Sequence, residues 1–198
     1  MKKITLNLLA LLVTVSFWQV NAQEVLNEDF NAGVLPAGWS LETDGTPGYD
    51  APGACGAALF SFECVNGNTF SAPANPNWSG TIAAINDDDA GGGFVGTGHI
   101  ISSSVDLSAN GGDGLTFDYS VDNSGGYFTV DGWNGASWDN LLTETTDFID
   151  SPTLNISAFN NADFSVRFSY NDGGNWAWGV GIDNVVVTEA VPAGPSSS

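Results

Sequence analysis

Basic residues are nearly missing from this chain. Of its 198 residues only three are Lys or Arg, against 23 Asp and Glu and a single His. Two of the three cations, Lys2 and Lys3, head an apolar stretch from Ile4 to Val20 that closes on Val20-Asn21-Ala22. That is the pattern of a secretory signal peptide over residues 1–22, removed after Ala22. The remainder then holds one cation, Arg167. It has no means of neutralising a phosphate backbone or an anionic membrane surface, and no Lys for a Walker-type loop. Nucleic-acid binding is thereby excluded, and beyond the signal no apolar run is long enough for membrane insertion by a helix.

Cysteine is scarce too. Cys55 and Cys64 are expected to form one disulfide in an exported chain, with two free thiols as the alternative. Two Cys and one His (His99) do not make four zinc ligands, and no C-x-x-C spacing is present. Helical periodicity is also lacking: outside the signal, no segment keeps apolar residues at i, i+3, i+4, i+7 for three turns.

What is present points to strands. The chain carries 25 Gly, 42% hydrophobic and 12% aromatic residues, with Asn, Asp and Ser between short apolar runs. Phe164, Val166, Phe168 and Tyr170 alternate with Ser165, Arg167 and Ser169, the mark of a strand with one buried face. Leu115, Phe117, Tyr119 and Val121 do the same. With the turn at 122–126 and the run through Phe128 and Val130, they read as a β-hairpin. Trp133 to Leu142 reads as a second, shorter hairpin turning at Asn134-Gly135. Glu24–Phe30, Thr81–Asn86 and Gly98–Ser102 read as further strands, and Leu154, Ile156 and Phe159 as buried. The fold class that follows is all-β: a two-sheet antiparallel β-sandwich, most simply a jelly roll, over residues 23–190. Val191–Ser198 has linker composition, which suggests further domains downstream of Ser198.

Two carboxylates fall among apolar neighbours. By parity Asp183 shares a face with Val185 and Val187, and Glu28 with Leu26 and Phe30. An ionised carboxylate beside a core is costly unless a cation meets it, and this chain has almost none. Calcium, which takes six to eight oxygens, is the expected partner. Asp87, Asp88 and Asp89 would be the third contributor, and Asp44 and Asp50 a second site. A solvated acidic turn is the competing reading of Asp87–Asp89. The second candidate site is aromatic. Tyr127, Trp133, Trp138, Trp176 and Trp178 lie among Gly, Asn and Asp, a composition suited to stacking on sugar rings. Core filling is the alternative for any one of them. Enzyme readings are poor: a Ser-His-Asp triad would have to use His99, and no nucleophile-elbow motif surrounds it.

Several motifs taken together resemble a family. Glu28-Asp29-Phe30 followed by Leu35-Pro36-Ala37-Gly38-Trp39, then His99-Ile100-Ile101-Ser102 through Val105-Asp106-Leu107-Ser108, then Gly181-Ile182-Asp183-Asn184-Val185 are similar to the opening, middle and closing stretches of the cleaved-adhesin and choice-of-anchor J domains. These are secreted bacterial domains of MAM-like architecture. The likeness runs from about Glu24 to Thr188. It implies a galactose-binding/MAM-like jelly roll, structural calcium, and a non-catalytic role in adhesion to extracellular or cell-surface ligands. Ser104 stands where the family has Pro, and Asn184 where it has a second Asp. The functions to weigh are therefore an adhesion module, a carbohydrate-binding module attached to a polysaccharide-degrading enzyme and, from another class, a hydrolase. The partner would be an extracellular glycan or a surface protein.

Overall fold

The computed structural model describes residues 22–43, 73–85, 97–123, 125–171, 173–175 and 179–191. The signal segment before Ala22, Cys55 and Cys64, Asp44, Asp50, Asp87–Asp89, Trp176, Trp178 and the tail after Val191 lie outside them. Eleven strands are described and no helix: β1 (Gln23–Glu28), β2 (Ser40–Thr43), β3 (Ala83–Ile85), β4 (Thr97–Ile101), β5 (Gly112–Asp122), β6 (Tyr127–Trp133), β7 (Trp138–Glu144), β8 (Phe148–Asp150), β9 (Thr153–Asn155), β10 (Val166–Asn171) and β11 (Gly179–Glu189).

They build two antiparallel sheets. One runs β1-β11-β5-β8, with β3 also on β11 and β9 also on β5; the other runs β2-β4-β10-β6-β7. The protein is an all-β jelly-roll sandwich. Its core is the alternating set expected from the sequence: Phe117 and Tyr119 of β5 meet Phe168 of β10 and Phe128 of β6, with ring centroids 5.2 Å apart for Phe117–Phe168 and 5.3 Å for Tyr119–Phe128. Aromatic pairs at such spacing add to the area term that dominates core stability.

That contact corrects one expectation. β5 and β6 are not a hairpin. They belong to opposite sheets, and the short link after Asp122 carries the chain across the sandwich. Two strands that each present one apolar face bury more by setting those faces together than by pairing edges. The shorter hairpin is as expected: β6 and β7 pair with Trp133 opposite Trp138.

A second correction concerns Asp183. β11 carries a bulge, since its register on β5 shifts between Asp183 and Val186, and Asn184 sits at φ 53°, a conformation Asn tolerates better than most residues. The extra residue reverses parity. Val180, Ile182, Val185 and Val187 all enter the main core, so Asp183 faces away from it, on the side of Gly181. That outer side is covered by the segment from Pro73 to Ile82. Asn75 donates to Tyr119 O (3.0 Å) and Asp150 O (2.8 Å), and Ser120 Oγ donates to Pro73 O (2.6 Å). Trp78, Ile82 and Ala84 form a small second core there. Trp78 lies where a side chain on Gly181 would be: a Cβ at that position would sit 2.6 Å from its ring.

Candidate functional site

Of the five aromatic residues expected to bind ligand, Trp133, Trp138 and Tyr127 lie on the outer face of the five-stranded sheet, and Trp176 and Trp178 lie outside the described residues. The β6–β7 turn fixes Trp133 and Trp138. Asn134 Oδ1 accepts from the backbone N–H of Ala136 and of Ser137, both at 2.9 Å, and Gly135 takes φ 94°. This turn holds Trp133 directly across from Trp138, with ring centroids 5.4 Å apart at 62°. Trp133 Nε1 donates to Asp163 Oδ2 at 3.2 Å. The two indoles, with Asp163, Ser165 and Ile101, line an open hollow of about 390 Å³.

Beside it, strand register sets out polar rows. Arg167 lies between Ile101 of β4 and Asp131 of β6, and Asp131 is opposite Asn140 of β7. Arg167 donates from Nε (3.1 Å) and Nη2 (2.9 Å) to Asp131 Oδ2, and its guanidinium carbon lies 4.6 Å from the centre of the Trp138 ring. Asn140 Nδ2 donates to the other oxygen of Asp131 at 3.1 Å. The next row holds His99, Ser169, Thr129 and Thr143. Beyond it, Asn171 Nδ2 donates to Thr97 Oγ1 at 3.1 Å, and Tyr127 OH approaches the same hydroxyl at 3.4 Å. Tyr127 is 38% exposed. Trp133, Trp138 and Tyr127 thus share one face with hydrogen-bonding side chains between them.

Sequence reasoning missed Arg167, Asp131, Asp163 and Asn140 as members of this face. The signal for Arg167 was there: it is the polar partner in the β10 alternation. The other three depend on which strand lies beside which.

His99 Nδ1 and Ser169 Oγ are 2.8 Å apart, the geometry a hydrolase would need first. Ser169 is, however, 3% exposed and in the middle of a strand paired on both sides. Its neighbouring N–H groups are committed to the ladders, so the strand backbone offers the pair no oxyanion-stabilising donors.

The expected metal residues fall in different settings. Glu28 Oε1 accepts from the backbone N–H of Phe30 at 2.8 Å, and the residue stands opposite Val185. Asp183 is fully buried. Its Oδ1 accepts from Asn184 N (2.8 Å) and its Oδ2 from Ser79 N (3.3 Å). Burial pushes its carboxyl up to about 6; those two N–H donors pull down, and the charges of Asp118 and Asp29 push up again. Asp118 lies directly across from Asp183 and accepts from Asn184 Nδ2 at 2.7 Å. Asp29, whose Oδ1 accepts from Asn31 N at 3.0 Å, is held below the usual carboxylate range by that residue. The described acids that act on Asp183 are thus Asp118 and Asp29, neither anticipated. Among the described residues, no group of three or more Asp, Glu, His or Cys side chains is arranged to hold a metal ion.

No family model matches the chain, and no curated protein matches it. Solved structures do. The K1 cleaved adhesin domain of Lys-gingipain from Porphyromonas gingivalis W83 is similar at 18% identity and TM-score 0.57, over 84% of this chain and 98% of that one. The K3 cleaved adhesin domain of the same protein is similar at 19% and 0.54, over 84% and 100%. A carbohydrate-binding module, TmCBM61 in complex with β-1,4-galactotriose, is similar at 12% and 0.55, over 85% and 99%. At these identities the likeness is one of fold. It agrees with the jelly roll anticipated from the motifs.

Proposed function

We propose that this protein is a secreted, non-catalytic recognition module that binds an extracellular glycan on the outer face of its five-stranded sheet. One observation carries the reading. Trp133, Trp138 and Tyr127, singled out for the Gly, Asn and Asp around them, lie on one face, the two indoles in contact at one end of β6 and Tyr127 at the other, with amide, hydroxyl and carboxylate side chains between. Indoles offer apolar faces to sugar C–H groups, and the polar rows offer partners to hydroxyls. The solved neighbours of this fold include a module complexed with a galactotriose and adhesin domains, so a glycan on a cell surface or in a matrix joins the two functions weighed from the sequence.

The test is a glycan microarray with the purified domain. Saturable binding should disappear in Trp133→Ala and Trp138→Ala, with the far-UV circular dichroism unchanged. Both residues are only partly buried, so their truncation spares the core. Glycan binding that survives both variants would refute the site.

Calcium belongs to the proposal as well. Asp183 is a buried carboxylate, and among the described residues the one ion pair is Arg167–Asp131. A divalent ion at Asp183, reached by Glu28 or Asp29 and by the Asp87–Asp89 segment, would supply the missing positive charge. It would act on stability, as a ligand of the folded state alone.

A further inference from the structure

We infer that the ligand is an extended, uncharged polysaccharide chain, bound along β6, and neither a single terminal sugar nor an acidic glycan. The inference rests on the reading of this face as a glycan site and adds the ligand class.

Length is the first argument. Trp133 and Tyr127 stand at the two ends of β6, six residues apart and on the same face. At about 3.3 Å per residue that separation is roughly 20 Å, the length of several sugar rings. Between them Asp131 and Thr129 point outward, flanked by Arg167 and Ser169 on β10 and by Asn140 and Thr143 on β7. Aromatic groups at both ends with hydrogen-bonding groups between them match a chain lying across the sheet. A lone terminal sugar calls for a closed pocket that buries most of its surface. The hollow at the Trp pair, at one end of the strip, is open.

Charge is the second. Arg167, the one cation left after signal cleavage, is doubly engaged: two of its nitrogens bond Asp131 and its plane lies over Trp138. The hollow itself carries Asp163, which uses Oδ2 to receive Trp133 Nε1–H and keeps acceptor capacity for a hydroxyl. Asp131 is already paired with Arg167, so the charge that meets a ligand in the hollow is that of Asp163, and a carboxylated or sulfated sugar would approach a charge of its own sign. Uncharged hydroxyls, which donate, fit acceptors of this kind.

The experiment is isothermal titration of the purified domain. Uncharged cello-, manno- and galacto-oligosaccharides of one to six units are set against uronic acid oligomers of the same lengths. At least one uncharged series should bind, with affinity rising on the order of tenfold or more from the dimer to the hexamer. No uronic acid oligomer should bind. Tyr127→Ala should erase the gain with length, leaving the hexamer bound as weakly as the dimer. Binding that is independent of length, or that favours the uronic acid series, overturns this inference and leaves the glycan reading standing. Absence of binding to every sugar, on the array as well as by titration, overturns both.

Discussion

Replacing Asp183 with Asn should change the pH dependence of stability in a defined direction. The native carboxyl holds its proton up to about pH 6, against 3.8 for the ordinary group, because burial opposes its charge. Between those two pH values the native state carries more protons than the unfolded chain. The contribution is therefore fully present below about pH 4 and is lost as pH rises through about 6. At 1.36 kcal/mol per pH unit the loss is about 3 kcal/mol at most. An Asn side chain has no such titration. Its single Oδ1 also serves only one of the two N–H donors, Asn184 N and Ser79 N, that the carboxylate serves now, at a pH-independent cost of about 1–3 kcal/mol. Urea unfolding followed by Trp fluorescence, from pH 4 to 7.5 with chelator present, measures both. Wild type should be the more stable protein at pH 4, and the two curves should converge or cross near pH 7. Groups that do not interact with Asp183 are common to both proteins and cancel in the difference. Parallel curves would refute the claim that Asp183 is a desolvated acid. Calcium in place of chelator should reverse the wild-type slope, because the ion competes with the proton and binds better as pH rises.

Two further perturbations test the packing. Arg167→Met leaves Asp131, which is 7% exposed, without its cation. The loss should be about 2–3 kcal/mol, below the value for a fully buried pair because the Arg167 side chain is 25% exposed; Asp131→Asn together with Arg167→Met should lose less than Arg167→Met alone. Gly181→Val would drive a side chain into the Trp78 ring, 2.6 Å from its Cβ position, and should destabilise by about 1–3 kcal/mol in the same assay. An unchanged midpoint would mean that the segment over β11 is not packed on it.

Alternation along single strands determined, by itself, which side chains of β5, β6 and β10 face inward, because a period of two is a property of the local backbone. The turn at Asn134-Gly135 was equally local, and it sufficed to set Trp133 against Trp138. Near-absence of cations was also written in the composition, and it left Arg167 as the one Lys or Arg beyond Lys3 that could meet a buried acid. Periodicity says nothing about which strand is the neighbour. Only the tertiary structure decided that β5 and β6 lie in opposite sheets, and that Asp131, Asp163 and Asn140 join Arg167 beside the Trp pair. Nor could parity carry through the bulge at Asn184, where one residue in a left-handed conformation turns Asp183 from the main core to the outer side. There it lies opposite Asp118, under the segment that holds Trp78. Faces are set residue by residue along the chain, whereas neighbours are set by contacts between strands far apart in sequence. Both candidate sites are made of neighbours.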